Sequence, residues 1–500
     1  MSPSSTALLI ILAIVGLGSF IGFRAGASRK MDLEQWTVAG RGFGVVLVWL
    51  LMAGEVYTTF SFLGASGWAY SRGGPTLYIL AYLTLGYVVS FYILPQLWET
   101  ARAQGLQTQS DFFERRYRSK GLAALVAAVG VVFIVPYLQL QLKGMGIIVE
   151  IASFGQISPP AAMVIGGALV AGFVFTSGVR AVALVSVLKD ILLLGAALVI
   201  GLAIPYHWFG GFGPMFKAII RTHPAHLTMP GQTQHMGHAW FISTVLLTSF
   251  GVYMWPHNFG ASFTARSSDT LRRNAVVMPL YTLLLPLIFF AGFAALLVIP
   301  GLPDGDLSLL AVVQRTFPPW FLGVVGGAGA LTAMVPCAIL ILTASTLFAK
   351  NFFRPILAPS MSDDGVAKLA KAASIFLMAV ALLFALSGAR TIVALLLLGY
   401  AGVTQFFPGV VLGLYWSRAS RAAVFCGLVV GIATVTFLTL SGRDPFMGLN
   451  AGFIALVLNF ILVVTLSLMT RTESQGRGSA ETQAREYRQF YTAESSPPAV

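Results

Sequence analysis

Five ionisable residues interrupt otherwise apolar stretches of this 500-residue chain: Glu55, Lys143, Glu150, Lys189 and Asp190. If those stretches cross a bilayer, each charge costs about 2.5 kcal/mol or more at mid-depth, so each is a candidate for a specific task. Glu55 follows Gly54 and precedes Val56-Tyr57-Thr58-Thr59. Desolvation favours the neutral, protonated form of a carboxyl group, so Glu55 reads as a proton acceptor. The plainer alternative is a carboxylate that caps free backbone N–H groups or pairs with a neighbouring lysine. Lys189, in Ser186-Val187-Leu188-Lys189-Asp190, either fixes a positive charge inside the apolar layer or snorkels to the nearer surface. Lys143 lies two residues beyond Gln141, and at about 100° per residue the two cannot point straight at one site. Gln139, Lys143, Gly146 and Glu150 share one stripe; Tyr137, Gln141 and Gly144 share the other. Lys143 either neutralises an anionic ligand or pairs with an acid such as Glu150, while Gln141 is a candidate hydrogen-bonder in a pocket. Tyr253, Trp255 and His257 form a third group. They read either as ligand contacts or as packing, with His257 donating to a backbone carbonyl.

What must position these residues is a set of membrane helices. Hydrophobic residues make up 57% of the chain and charged ones 10%, against about 25% charged in soluble domains. Soluble enzymes, secreted disulfide scaffolds and disordered proteins are thereby excluded. The two cysteines, Cys337 and Cys426, both sit in apolar runs and read as small buried residues rather than a disulfide framework. Apolar segments of about 20 residues predict thirteen spans, at 6–23, 43–69, 74–98, 121–154, 158–177, 181–205, 238–258, 274–299, 319–349, 367–387, 390–415, 420–440 and 448–470. Basic residues follow the first apolar run (Arg24, Arg29, Lys30) and none precede it, the opposite of a secretory signal.

With the N-terminus outside, 23 of the 31 Lys and Arg residues fall in cytoplasmic segments and six in external ones, Lys143 and Lys189 being within the membrane. Positive charge inside therefore predicts a multi-pass protein of the cell (inner) membrane, N-terminus out and C-terminus in. It accounts for the net charge of +13 without nucleic acid. The external loop 206–237, with His238 just beyond it, carries His207, His223, His226 and His235 at poor metal spacing and reads as solvated. The tail 471–500, rich in Ser, Glu, Gln and Arg, reads as a disordered cytoplasmic segment.

A break in a spanning helix is tolerated only where it lines a cavity, and inverted-repeat transporters place breaks in corresponding helices of the two halves. The second span carries Gly54-Glu55-Val56-Tyr57-Thr58-Thr59, and the seventh carries Gly251-Val252-Tyr253-Met254-Trp255-Pro256-His257. Both set a glycine shortly before a tyrosine, and they are five spans apart, the offset of a five-plus-five repeat.

The stretch from Glu34 to about Arg421 resembles the sodium:solute symporter family, on four motifs in order. These are Trp36-Thr37-Val38-Ala39-Gly40-Arg41; Phe62-Leu63-Gly64-Ala65-Ser66-Gly67-Trp68-Ala69-Tyr70; Thr108-Gln109-Ser110-Asp111-Phe112-Phe113-Glu114-Arg115-Arg116-Tyr117; and Pro256-His257 followed by Arg266 and Arg272-Arg273. Gly54-Glu55, Thr58-Thr59 and Tyr137 to Gln141 are more similar to its monocarboxylate/acetate-permease-like branch than to its sugar or proline branches. The resemblance implies an all-α polytopic membrane protein with the LeuT-type 5+5 inverted repeat and broken first and sixth core helices. Residues 1–42 would form an extra helix and loop, 43–205 the first repeat, 206–237 the external loop, 238–415 the second repeat, and 416–470 two C-terminal helices.

The family's sodium site falls here on unsuitable residues. Its adjacent hydroxyls on the eighth core helix, placed ten residues before the pair matching Ser345-Thr346, align with Val335-Pro336. Two acids the family often carries align with Val56 and Ser186. The backbone oxygens of Gly54 and Tyr57 alone are too few for a hard cation, although Pro336 would free the Thr332 carbonyl and leave a degenerate site. In some proton-coupled relatives of this fold a lysine on the fifth core helix occupies the sodium position, and Lys189 lies on that helix.

The resemblance thus implies a symporter, not an enzyme, moving a small organic anion such as pyruvate, lactate, acetate or propionate by alternating access. Its coupling ion is expected to be a proton rather than sodium, on Glu55 or Lys189, with no cofactor, nucleic acid or obligate protein partner. Gly54, Tyr57, Thr58, Thr59, Gln141, Lys143, Tyr253, Trp255 and His257 are the candidate substrate-binding residues. The rival readings are a sodium-coupled symporter of an amino acid, pantothenate or a sugar, and, from a different class, a sensor built on a transporter fold.

Overall fold

Each of the thirteen expected apolar segments forms helix in a computed structural model of the chain, which describes residues 2–26, 39–176, 179–231, 233, 235–388 and 390–470. Trp36 to Val38 of the first motif and the tail 471–500 lie outside the described residues. Among the described residues ten helices are long and apolar enough to cross a membrane unaided, or eleven counting a bent pair. The other two spans are the broken second span and the shorter helix Pro159–Thr176.

Spans three to six are Gly74–Gln104, Lys120–Ala152, Pro159–Thr176 and Val179–Phe209; the eighth runs from Ser268 to Val298. The ninth, Pro319–Thr346, runs through Pro336 without ending and is buried along almost its whole length. Glycines let its neighbours approach, as small residues do between membrane helices. A side chain at Gly326 or Gly327 would strike Ile11 or Ile14 of the first span, Pro3–Gly26.

The second span is helical over Val45–Gly54, loses regular structure at Glu55–Thr59, and resumes as Phe60–Gly64 and Ala65–Ser71. β-Branched Val56, Thr58 and Thr59 disfavour helix here, and local side chains take the freed backbone groups. Thr58 Oγ1 accepts from the Phe60 N–H (3.2 Å), and Ser61 Oγ accepts from the Thr58 N–H (3.1 Å) while donating to the Val56 carbonyl. The seventh span is His238–Gly251 and Pro256–Ser262, bent by 47°. Pro256 starts its second half, where a missing N–H costs nothing. Asn258 Nδ2 donates to the Val252 carbonyl (2.8 Å) and Gln109 Nε2 to the Met254 carbonyl (2.9 Å). The eleventh span is also interrupted, at Thr404–Phe406. Asn459 of the last span holds that turn through the Gln405 carbonyl (2.8 Å).

Candidate functional site

The two broken spans meet around a cavity at the centre of the helix bundle. Glu55 and Phe60 come to it from the second span, Tyr82 from the third, Tyr137 from the fourth, Tyr253, Trp255 and Asn258 from the seventh, and Tyr400 from the eleventh. Tyr137 packs tilted on Trp255 at 4.9 Å and Trp255 packs edge to face on Tyr400 at 5.3 Å, offset geometries that aromatic pairs prefer over face-to-face stacking. Glu55 is the only charged side chain lining this cavity among the described residues.

Of the expected binding residues, the cavity takes Tyr253 and Trp255, together with Glu55, expected as a coupling residue. Gln141 and Thr59 do not line it; they are hydrogen-bonded to each other, which leaves Gln141 Nε2 buried without a partner among the described residues. Gly144 permits that contact, because any side chain there would overlap Thr59. Tyr57 points away, donating its hydroxyl to the Tyr281 carbonyl (3.1 Å). Thr58 spends its side chain on the break. His257 is buried just outside the cavity, its Nε2 3.2 Å from Glu55 Oε2.

Lys189 does not snorkel. Its ammonium is fully buried, 2.8 Å from the Gly54 carbonyl, 3.0 Å from the Tyr57 carbonyl and 3.0 Å from Asp190 Oδ1. The lysine thus holds the same two backbone oxygens that the sequence comparison left for a cation. Gly54 allows the approach, since a methyl there would sit 3.2 Å from Lys189 Nζ. Val335 and Pro336 are buried in the ninth span, and the Thr332 hydroxyl turns back to the Ala328 carbonyl (2.7 Å). Asp190, which sequence reasoning left without a role, is therefore the counter-ion.

Lys143 pairs with acids, the second of the two expectations, but with acids other than Glu150. It pairs with Asp304 and Asp306 (2.7 Å each) in the loop between the eighth and ninth spans, and donates to the Arg390 carbonyl (3.1 Å). Asp306 also accepts from the Ile392 N–H (2.9 Å). One clamp thus ties the fourth span, this loop and the start of the eleventh span. Burial lifts the Asp306 carboxyl above the ordinary carboxylate range, with Lys143 offsetting only part of the rise. Glu150, offered above as a partner, takes no part in this clamp. Neither loop acid sits in an apolar run, so no intramembrane-charge rule could have flagged them.

On the opposite face, Asp111 of the third motif accepts from Lys350 (2.8 Å), Asn351 (2.8 Å) and the Gln107 and Thr108 N–H groups. Burial raises its carboxyl, but Lys350 and these hydrogen bonds outweigh that and hold it below the usual range. In the loop 206–237, His226 is buried rather than solvated, its ring nitrogen 2.7 Å from the Ala69 carbonyl, and burial pushes it down.

A bundle with two broken helices crossing at a central cavity defines a secondary transporter of the LeuT-type fold. The sequence model of the sodium:solute symporter family matches residues 36–431, and the chain belongs to that family. It is 45% identical to the uncharacterised symporter YhjB of Bacillus subtilis, over 93% of this chain and 98% of that protein. It is 29% identical to a monocarboxylate transport permease protein of Rhizobium johnstonii, over 93% and 97%. Its fold is similar to that of a substrate-bound, outward-open Na+-coupled sialic acid symporter, at a TM-score of 0.77 and 15% identity over 93% and 98%.

Proposed function

We propose that this symporter carries short monocarboxylates together with protons, and that Lys189 stands as a tethered cation where family members bind sodium. The observation carrying the coupling is the Lys189 ammonium on the Gly54 and Tyr57 carbonyls. A fixed ammonium with a carboxylate partner holds the two halves of the second span without a dissolved ion. The substrate class rests on the Rhizobium relative named a monocarboxylate transport permease.

The cavity suggests how substrate and proton travel together. Lys143 is engaged elsewhere, so an incoming carboxylate meets Glu55 and no lysine or arginine. Two adjacent carboxylates in a desolvated site share a proton, because both cannot ionise. Binding of the acid then requires one proton on the pair, which is obligatory symport. Hydroxyl and indole donors from the surrounding Tyr and Trp residues complete the recognition. The arrangement is inserted in the cell membrane with the Gln107–Asp111 face inward, as the basic residues indicate.

A second reading draws on the same cavity. Aromatic faces around a single carboxylate also suit an ammonium group, so an amine-bearing solute is the competing substrate class. Purified protein in liposomes, given labelled pyruvate under imposed pH or sodium gradients, separates these. Uptake driven by an inward proton gradient and indifferent to sodium is expected. Sodium-dependent uptake overturns the coupling, and uptake of cationic amines without pyruvate overturns the substrate class.

A further inference from the structure

A second cavity lies towards the Gln107–Asp111 face. It is lined by His257, Pro256, Gln107, Thr108, Gln109 and Thr343 among others, and reaches half-exposed Gln107 and Thr343. Glu55 lines the central cavity and His257 the second one, each absent from the other's wall. The two side chains are nevertheless 3.2 Å apart, Glu55 Oε2 to His257 Nε2, a carboxyl–imidazole contact between a residue of one wall and a residue of the other that is not aligned as a hydrogen bond. Both ring nitrogens of His257 are buried and have no hydrogen-bond partner among the described residues. A buried polar nitrogen left so calls for an explanation in function or strain.

We propose that His257 relays the coupling proton between Glu55 and the second cavity. The inference rests on the proton-coupled reading above. The step balances as a two-nitrogen relay. The Glu55 carboxyl gives its proton to Nε2 of the neutral ring, forming an imidazolium. The Nδ1 proton then leaves into the second cavity, and ring reorientation or the reverse exchange restores the starting tautomer. Imidazole suits this because its two ring nitrogens can take a proton on one side and release another on the opposite side. The groups facing it are Glu55 from the second span, the Tyr137 ring at 5.6 Å from the fourth, and Trp255 at 5.7 Å from its own segment. The wall beyond is mixed and carries no charged side chain among the described residues: Gln107, Thr108, Gln109, Thr343 and Thr346 alternate with apolar residues such as Ile339, Leu342 and Leu347, and Asp111, four residues beyond Gln107, pairs with Lys350.

The test compares wild type, His257→Gln, His257→Asn and His257→Gly in liposomes holding a pH-sensitive dye. Exchange of labelled pyruvate at equal pH needs no net proton delivery, whereas accumulation down a pH gradient does. Both amide variants are expected to keep exchange, to lose accumulation by about 100-fold, the scale of one positioned acid–base group, and to admit no protons with substrate. Free imidazole is expected to restore accumulation in the glycine variant. Unchanged accumulation and proton entry in the variants overturns the relay. Equal loss of exchange and accumulation without imidazole rescue also overturns it, because His257 is then structural. Wild-type uptake that carries no protons at all instead refutes the coupling on which the relay rests.

Discussion

Replacing Lys189 with Met tests the tethered cation directly. The substitution nearly conserves volume but strands Asp190 and the Gly54 and Tyr57 carbonyls in a fully buried setting. Breaking a buried ion pair by removing one partner costs about 3–5 kcal/mol, a factor of roughly 10² to 10³ or more in the closed, folded population. The paired replacement Lys189→Met with Asp190→Leu removes both charges, leaving only the two carbonyls short of a donor, at about 1–3 kcal/mol each. The double variant is therefore expected to melt at a higher temperature than Lys189→Met alone, a coupling that a double-mutant cycle resolves. Neither variant is expected to accumulate pyruvate down a pH gradient. Thermal unfolding in detergent, read by fluorescence after size exclusion, gives the stabilities, and liposome uptake gives the coupling. Equal melting temperatures for wild type and Lys189→Met, with proton-driven uptake intact, would refute the reasoning.

Other perturbations follow from the clamps on the two faces. Lys143→Met frees the loop bearing Asp304 and Asp306 from the fourth span, so a thiol-labelled cysteine placed at Tyr253 is expected to react faster from outside than in the parent; an unchanged rate contradicts a role in closing that face. Asp111→Asn is expected to lower stability by about 2 kcal/mol, a figure discounted for partial exposure of the pair. Because the folded carboxyl of Asp111 is held low, its contribution is complete above about pH 4 and is lost only as pH falls through the depressed value. The difference between wild type and Asp111→Asn in thermal unfolding should therefore stay flat from pH 5 to 8; a slope in that range refutes the assignment. Gly144→Ala drives a methyl into Thr59, an overpacking worth about 1–3 kcal/mol, and is expected to impair uptake more than the same change at Gly121, which meets open space.

The sequence by itself determined the thirteen apolar spans, because twenty apolar residues in lipid have helix as their main way to satisfy the backbone. It also located the breaks near Gly54 and Pro256, since glycine, β-branched residues and proline act locally. Lys189 was singled out by its cost in an apolar run, and Gly54 and Tyr57 by the family comparison. Partners were another matter. Lys143 found Asp304 and Asp306 about 160 residues away, and whether it faced a cavity or a loop depended on how the fourth span is rotated in the bundle. Periodicity gives relative angles along one helix and says nothing of which neighbour each stripe meets. Lys189 and His257 gained their partners in the same way, from carbonyls and a carboxylate delivered by the broken second span. Tyr82 and Tyr400 entered the cavity from spans in which an apolar tyrosine is unremarkable. Local chemistry sets where a membrane helix forms and where it stops, whereas the distance between two side chains on different helices exists only once the bundle has packed.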